Sequence, residues 1–453
     1  MMKMNNGAFA DSRALGIKAA KKRELALVRP LGYCERFFYL YSLAFPVHFC
    51  LVAQIEGALD ATRLGAALEQ VRKRHSALRV CIVEDVETGP TFYRTDNPIE
   101  LNVVAVDTAA DWHGLVESEL SLPFSTFPGP LMRAKLLSAP DDASIVLTFH
   151  HAIVDGLSGA RILHDVMRAL AGGYLEILPS PPLIEEMIAS VASHPIIVEE
   201  GTSYGMSKAC SRAAQGSEKF AANLAISEWD QEETARLLRF CKANGTTVHG
   251  AICAAASRHL PAPDDNIVRM HCPIDLSRIS GVEATGCGVF IGAGIVEIPA
   301  VERKLWDDAR CIVDNLRMAR SPDAVAGMLQ RIAAEMSPTA NKDSVAAFLA
   351  SMPQSSAVIS NLGILPLGIE YGSLRLKAVW GPAMLTNLPT DRQTIGISTF
   401  AGQLRMVHQS YAPIPGLLES IRETLLSSCA QHRNAPMEQT ASRRVTPVRY
   451  SGL

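Results

Sequence analysis

The stretch Phe149–Ala160 reads FHHAIVDGLSGA and concentrates groups able to move protons. Two of the chain's twelve histidines stand side by side at the end of an apolar run, followed by Asp155, Gly156 and Ser158. Three chemistries could use these side chains. A metal site would draw on imidazole nitrogens and a carboxylate. A serine nucleophile would place Ser158 on a sharp strand-to-helix turn, as in a G-x-S-x-G elbow. A general base would need a single imidazole, whose ordinary pKa of about 6.5 lets it accept a proton at neutral pH.

Spacing weighs each of them. Successive side chains of a strand face opposite ways, so Ile145, Leu147, Phe149 and His151 would share one face and Val146, Thr148 and His150 the other. A strand that persists through the pair would make the two rings diverge, and ligands of one ion must converge. No other His/Cys/Asp cluster shows ligand spacing, and no metal is expected. GLSGA departs from the elbow pattern at Ala160, and Ser158 reads first as a helix N-cap. For either histidine the plain alternative is a satisfied core residue. Against that alternative stands the whole pattern H-H-x-x-x-D-G, which a chain of this length matches by chance on the order of one time in a thousand.

The elements that must position these residues follow from periodicity. Residues 45–57 and 144–151 are rich in β-formers and read as strands, as do 80–85 and 90–95 around a turn and 131–139. Residues 59–79 place Leu64, Leu68 and Val71 at helical steps behind a candidate cap, Asp60. Residues 158–173 form a helix with the stripe Ile162, Leu163, Val166, Met167 and Leu170, stopped at Gly172. Pro-, Ser- and Gly-rich sequence over 178–217 reads as a linker. Helices then fit 227–245, the segment after Thr246 and Thr247, 303–352 and 416–430. Strands fit the segments IVRMHCPIDLSR, GCGVFIGAGIVEIP, SAVISNLG, LRLKAVWG, QTIGISTFA and QLRMVHQSY.

Bulk composition bounds the rest. A chain of 453 residues exceeds one hydrophobic core, which predicts two lobes. With 48% hydrophobic and 20% charged residues and a net charge of −3, it is an ordinary folded protein, and no basic run invites nucleic acid. No stretch reaches the length of a membrane span. The N-terminus lacks an apolar signal region. The ten cysteines form no CxxC pair and read as buried hydrophobes in a cytoplasmic protein. The fold class expected is α/β with mixed sheets.

The segment His150-His151-Ala152-Ile153-Val154-Asp155-Gly156 resembles the signature of the CoA-dependent acyltransferase superfamily. That superfamily includes chloramphenicol acetyltransferase, plant BAHD acyltransferases, condensation domains of nonribosomal peptide synthetases, alcohol acetyltransferases and mycobacterial polyketide-associated acyltransferases. RPLGYCERFFYL (29–40), RHSALRV (74–80), TTVHGAICAAASRHL, CPIDLSR, GCGVFIG and SNLG (360–363) are similar to further family segments. The resemblance spans roughly 29 to 430. It implies two chloramphenicol-acetyltransferase-like lobes in a V around a central channel. The implied division is an N-terminal extension (1–28), a first lobe (29–178), a linker (179–217), a second lobe (218–433) and a mobile tail (434–453).

By the same resemblance His151 is the general base and His150 is structural. Asp155 turns from the substrate to pair with an arginine, for which Arg278 is the candidate. Gly156 leaves room for substrate and oxyanion. Ser158 and Asn361 are candidate oxyanion or channel residues. No cofactor is permanently bound; acyl-CoA or a phosphopantetheinyl carrier protein brings the thioester, and a small-molecule alcohol or amine receives the acyl group. The DFGWG loop of plant BAHD enzymes is absent, which favours the alcohol-acetyltransferase and polyketide-associated branches. The expected protein is a free-standing, monomeric acyltransferase forming esters in secondary or lipid metabolism. The alternatives are a free-standing condensation enzyme forming amides, a non-catalytic module binding carrier proteins, and a serine hydrolase using Ser158.

Overall fold

The computed structural model describes residues 25–85, 88–193, 223–279, 281–284, 286–386 and 391–431. The expected extension up to residue 24, the linker from 194 onward and the tail lie outside these residues.

Two six-stranded mixed sheets carry the chain. The first runs in the order Glu370–Tyr371, Leu374–Met384, Phe49–Glu56, Asp142–Phe149, Met132–Ser138, Glu100–Ala105. Only its last pair is parallel. The second runs Ile291–Pro299, Ile267–Asp275, Ala357–Ile364, Gln393–Phe400, Gln403–Ser410, Asn223–Glu228, with Ala357–Ile364 parallel to both of its neighbours. A small sheet of Leu27–Pro30, Gly89–Arg94 and Val80–Asp85 stands apart. This is the α/β class with mixed sheets that the sequence predicts.

Each sheet supports its own apolar core. One gathers Phe49, Leu147, Phe149 and the stripe of the Gly156–Leu170 helix, where Ile162, Leu163, Val166 and Met167 are wholly buried. The other gathers Ile252, Ala255, Met270, Ile359 and Ile397. Between them lies a third cluster that mixes Cys34, Ile184 and Ile188 with Ile274, Phe290 and Leu329. It closes the seam between the halves with residues from both. The described end of the Pro- and Ser-rich segment packs there as a short helix, Ile184–Ala189, instead of hanging free.

The lobes also exchange covalent territory. Leu374–Met384 comes from the second half, yet it pairs along Phe49–Glu56, with Trp380 opposite Val52. It then presses on the second sheet: a Cβ at Gly396 would stand 1.9 Å from the Pro382 carbonyl oxygen. Only glycine permits that approach.

Caps set the helix boundaries. Asp60 accepts from the Arg63 N–H at 2.8 Å and Thr247 from the Gly250 N–H at 3.0 Å. The helix expected over 227–245 starts later, at Gln231, because Asp230 caps it and Asn223–Glu228 is drawn into the second sheet beside Gln403–Ser410. The Tyr33–Ala44 helix, the Glu100–Ala105 strand and the His113–Ser121 helix carry weaker patterns that sequence reading passes over.

Candidate active site

The Asp142–Phe149 strand ends one residue before the histidine pair, so the pair sits in a turn and not on a ladder. The His150 N–H donates to the Leu131 carbonyl at 3.0 Å, and its own carbonyl accepts from the Ile153 N–H at 3.1 Å. This tight turn sends the two rings apart. His150 packs edge-on against Phe124, and its Nδ1 accepts from the Ala152 N–H at 3.1 Å. His151 lies flat on Phe38, centroids 4.0 Å apart and planes 5° from parallel, with Phe49 at 5.2 Å. The divergence expected from strand alternation therefore arises from the turn.

Both imidazoles are neutral at ordinary pH. Burial pushes His150 down to about 3, with His48, His151 and Arg133 adding repulsion. Burial pushes His151 down to about 4, and only its own backbone carbonyl opposes that. His151 retains 5% exposure against 1% for His150. Its Nδ1, and not its Nε2, is the enclosed nitrogen without a partner. A ring whose proton sits on the enclosed Nδ1 keeps its lone pair on Nε2.

Asp155 is the N-cap of the Gly156–Leu170 helix. Its Oδ1 accepts from the Ser158 N–H at 2.7 Å and its Oδ2 from the Phe290 N–H at 2.8 Å, 135 residues away. Its own N–H donates to the Gly288 carbonyl at 3.0 Å. Ser158 completes the latch: its hydroxyl donates to that carbonyl at 3.0 Å and accepts from the Gly288 N–H at 3.2 Å. Arg161 reaches toward the same loop, toward the Gly286 carbonyl and the Ser277 hydroxyl, each at 3.4 Å. The geometry of the turn is thus held by the Gly286–Phe290 loop of the other half. Burial nonetheless keeps the Asp155 carboxyl above the usual carboxylate range.

Three expectations need correction. Arg278 does not pair with Asp155; it is 70% exposed and bridges to Glu283 at 2.7 Å, and Asp155 is satisfied by backbone N–H groups instead. Ser158 does not cap the helix; Asp155 does, three residues earlier, and the serine hydroxyl is spent on Gly288. Gly156 does not face open space. A Cβ there would stand 2.8 Å from the Leu362 side chain, so the glycine admits Leu362 from the SNLG strand. Asn361 turns back on its own strand, its Oδ1 accepting from the Gly363 N–H at 2.7 Å where Gly363 adopts φ +70°. That brings Leu362, not Asn361, against the motif.

A cavity of about 340 Å³ borders the turn, lined by Ile153 and Gly288 and by Arg29, Arg79 and Arg94 from the small sheet and its surroundings. Arg29 is neutralised by two hydrogen bonds to Glu35, at 2.6 and 2.8 Å. Arg79 keeps an enclosed Nε without a partner. Sequence reading finds neither this basic cavity nor Phe38, Arg161, Gly288 and Phe290. RPLGYCERFFYL and GCGVFIG hold most of them, but nothing in the sequence sets Phe38 on His151 or the Gly288 loop on Asp155 and Ser158.

Comparison with known proteins bears on the family and the fold. Residues 45–184 match the family described as Condensation domain, and residues 219–408 match Phthiocerol/phthiodiolone dimycocerosyl transferase C-terminus. Tyrocidine synthase 3 of Brevibacillus parabrevis is 28% identical over 177 residues, 38% of this chain and 3% of that protein. Nonribosomal peptide synthetase kk1B of Curvularia clavata is 32% identical over 111 residues, 24% of this chain and 1% of that protein. These matches thus span only a few per cent of the curated relatives' length. Among solved structures, polyketide synthase associated protein 5 from Mycobacterium tuberculosis superposes with TM-score 0.63 at 16% identity, covering 90% of this chain and 100% of that one. Trichothecene 15-O-acetyltransferase from Fusarium sporotrichioides superposes with TM-score 0.61 at 13% identity, covering 88% and 95%. At these identities the superpositions establish a shared fold. No helix among the described residues is long and apolar enough to cross a membrane.

Proposed function

We propose, from the premise that this chain belongs to the CoA-dependent acyltransferase superfamily, that it moves an acyl group from a thioester to a hydroxyl acceptor with His151 as general base. The observation that carries this reading is a neutral imidazole with an enclosed Nδ1, held on a turn that Asp155 latches from across the molecule.

His151 Nε2 takes the hydroxyl proton as the acceptor oxygen attacks the thioester carbon. The carbonyl electrons move onto oxygen, then return as the carbon–sulfur bond breaks. The departing thiolate takes the proton from the imidazolium, which leaves an ester, a free thiol and the neutral ring. No covalent acyl-enzyme is required, because holding an activated thioester beside the acceptor supplies much of the rate. A donor on CoA or on a carrier protein carries phosphate, and the cavity offers an anion the guanidinium groups of Arg79 and Arg94, Arg29 being held by Glu35. His150, Asp155, Ser158 and Asn361 act as positioning residues, and Gly156 admits Leu362.

Amide formation is the second reading, favoured by the Condensation domain match and by relatives named as nonribosomal peptide synthetases. One experiment addresses both. The protein is incubated with a panel of acyl-CoA and acyl-pantetheine thioesters and with candidate alcohols and amines, and products are read by mass spectrometry. We expect ester products, lost roughly a hundredfold or more in His151→Ala and only weakened in Ser158→Ala. Amide products alone would replace the ester reading. Transfer that survives His151→Ala, or a covalent acyl adduct that vanishes with Ser158→Ala, would sink it.

A further inference from the structure

We propose that the second lobe holds a zinc ion between His249, Cys253 and Cys272. The site lies among residues to which the reaction above assigns no role, and it stands independently of that reaction.

His249 and Cys253 are one turn apart on the Val248–Ala256 helix, so they share a face. Cys272 lies on Ile267–Asp275, a strand whose even-numbered residues Val268, Met270, Cys272 and Ile274 are buried while the odd-numbered ones are half-buried. The alternation brings the Cys272 sulfur under the helix. The two sulfurs are 3.8 Å apart and the His249 Nε2 is 3.6 Å from the Cys253 sulfur. All three donor atoms lie within 4.8 Å of one another.

Those separations decide between readings. A disulfide needs its sulfurs at about 2.0 Å. Two unrelated core thiols need no imidazole beside them. A tetrahedral zinc with Zn–S of about 2.3 Å and Zn–N of about 2.0–2.1 Å sets its sulfurs about 3.8 Å apart and a sulfur and nitrogen about 3.6 Å apart. These two edges match, and the third, from His249 to Cys272, lies within 4.8 Å. The polar bookkeeping points the same way: His249 Nδ1 is enclosed without a partner, so the ring's polar neighbours are thiols, which are weak hydrogen-bonding groups. Cys253 and Cys272 are fully buried among Ala251, Ala254 and Ala255, whereas His249 is half-buried and gives an ion its way in. Two cysteine sulfurs and an imidazole nitrogen form a soft donor set suited to zinc over calcium or magnesium. Binding releases one proton from each thiol, and water fills the fourth position. The sequence does not signal the site, because the third ligand comes from a different element.

The test uses the full chain, purified with reductant and chelator and then titrated with Co²⁺ alone and Zn²⁺ alone. We expect Co²⁺ to bind one equivalent with a thiolate-to-metal charge-transfer band and the intense visible bands of tetrahedral cobalt. Zn²⁺ should abolish those bands and protect Cys253 and Cys272 from alkylation, read by peptide mapping. Affinity should fall at least tenfold in His249→Ala and stoichiometric binding should vanish in Cys253→Ala/Cys272→Ala. Should the double variant misfold by circular dichroism, the wild-type cobalt spectrum and the protection map decide alone. No charge-transfer band, unchanged binding in a folded double variant, or a Cys253–Cys272 disulfide in the reduced preparation would each overturn the proposal.

Discussion

Replacing Asp155 tests whether the latch, rather than an ion pair, holds the turn. Its carboxylate receives the Ser158 and Phe290 N–H groups at 2.7 and 2.8 Å, and the residue is only 5% exposed. A hydrogen bond to a charged acceptor contributes about 1.5–3 kcal/mol, so losing both in Asp155→Ala would cost up to about 3–6 kcal/mol. Part is refunded, because burial holds this carboxyl above its usual range and its removal relieves that desolvation. The expected net loss is about 2–4 kcal/mol. Asp155→Asn keeps one acceptor and turns an amide donor toward the other N–H, so it should lose about half as much. Urea unfolding followed by tryptophan fluorescence measures both. A cycle with Ser158→Ala should be non-additive, since the Asp155 carboxylate takes the Ser158 N–H and both side chains hold the loop at Gly288 and Phe290. If Asp155→Asn were as stable as wild type, or Asp155→Ala and Ser158→Ala simply added, the latch would not be what orders the turn.

Other outcomes follow from the same geometry. With the His151 pKa pushed down to about 4, the unfolded chain binds a proton below about pH 6.5 that the folded one refuses. Stability present above that pH is lost as pH falls toward 4, by about 3 kcal/mol for this ring; His151→Gln should show a shallower acid decline in pH-dependent unfolding. The acid limb of kcat/KM should likewise lie well below the ordinary histidine value. Gly156→Ala should lose about 1–3 kcal/mol in thermal or urea unfolding by driving a methyl into Leu362, and the same change made in a Leu362→Ala background should cost much less. Arg278→Ala should leave both urea midpoint and turnover unchanged, since its exposed bridge to Glu283 touches nothing of the site.

Local features of the site were legible in the sequence, while its long-range partners were not. The stripe of the Gly156–Leu170 helix and the Asp60 cap follow from spacing and side-chain chemistry, which act over one or two turns. Asp155 and Ser158 are both capping types, and the helix start that decides between them depends on the Phe290 N–H, a backbone group that leaves no mark in composition. Arg278 was the candidate because the resemblance implies an arginine partner for Asp155, yet a carboxylate is equally well served by two amides. The resemblance implied open space at Gly156, but the neighbour that fills it arrives from residue 362. The cluster of His249, Cys253 and Cys272 was not legible, because the register that sets Cys272 beneath the helix leaves no mark in the spacing.

The strand Leu374–Met384 gives the molecule an unusual kind of wholeness. Because it zips onto Phe49–Glu56, a fragment ending near residue 193 would carry a sheet with a raw edge at its middle, and that edge would seek a substitute. Conversely, a chain nicked between 193 and 223 would stay together as a two-piece complex, with eleven residues of the later piece bonded into the sheet of the earlier. Swapping lobes between relatives would therefore succeed only where this strand travels with the sheet it completes, not with the segment that encodes it.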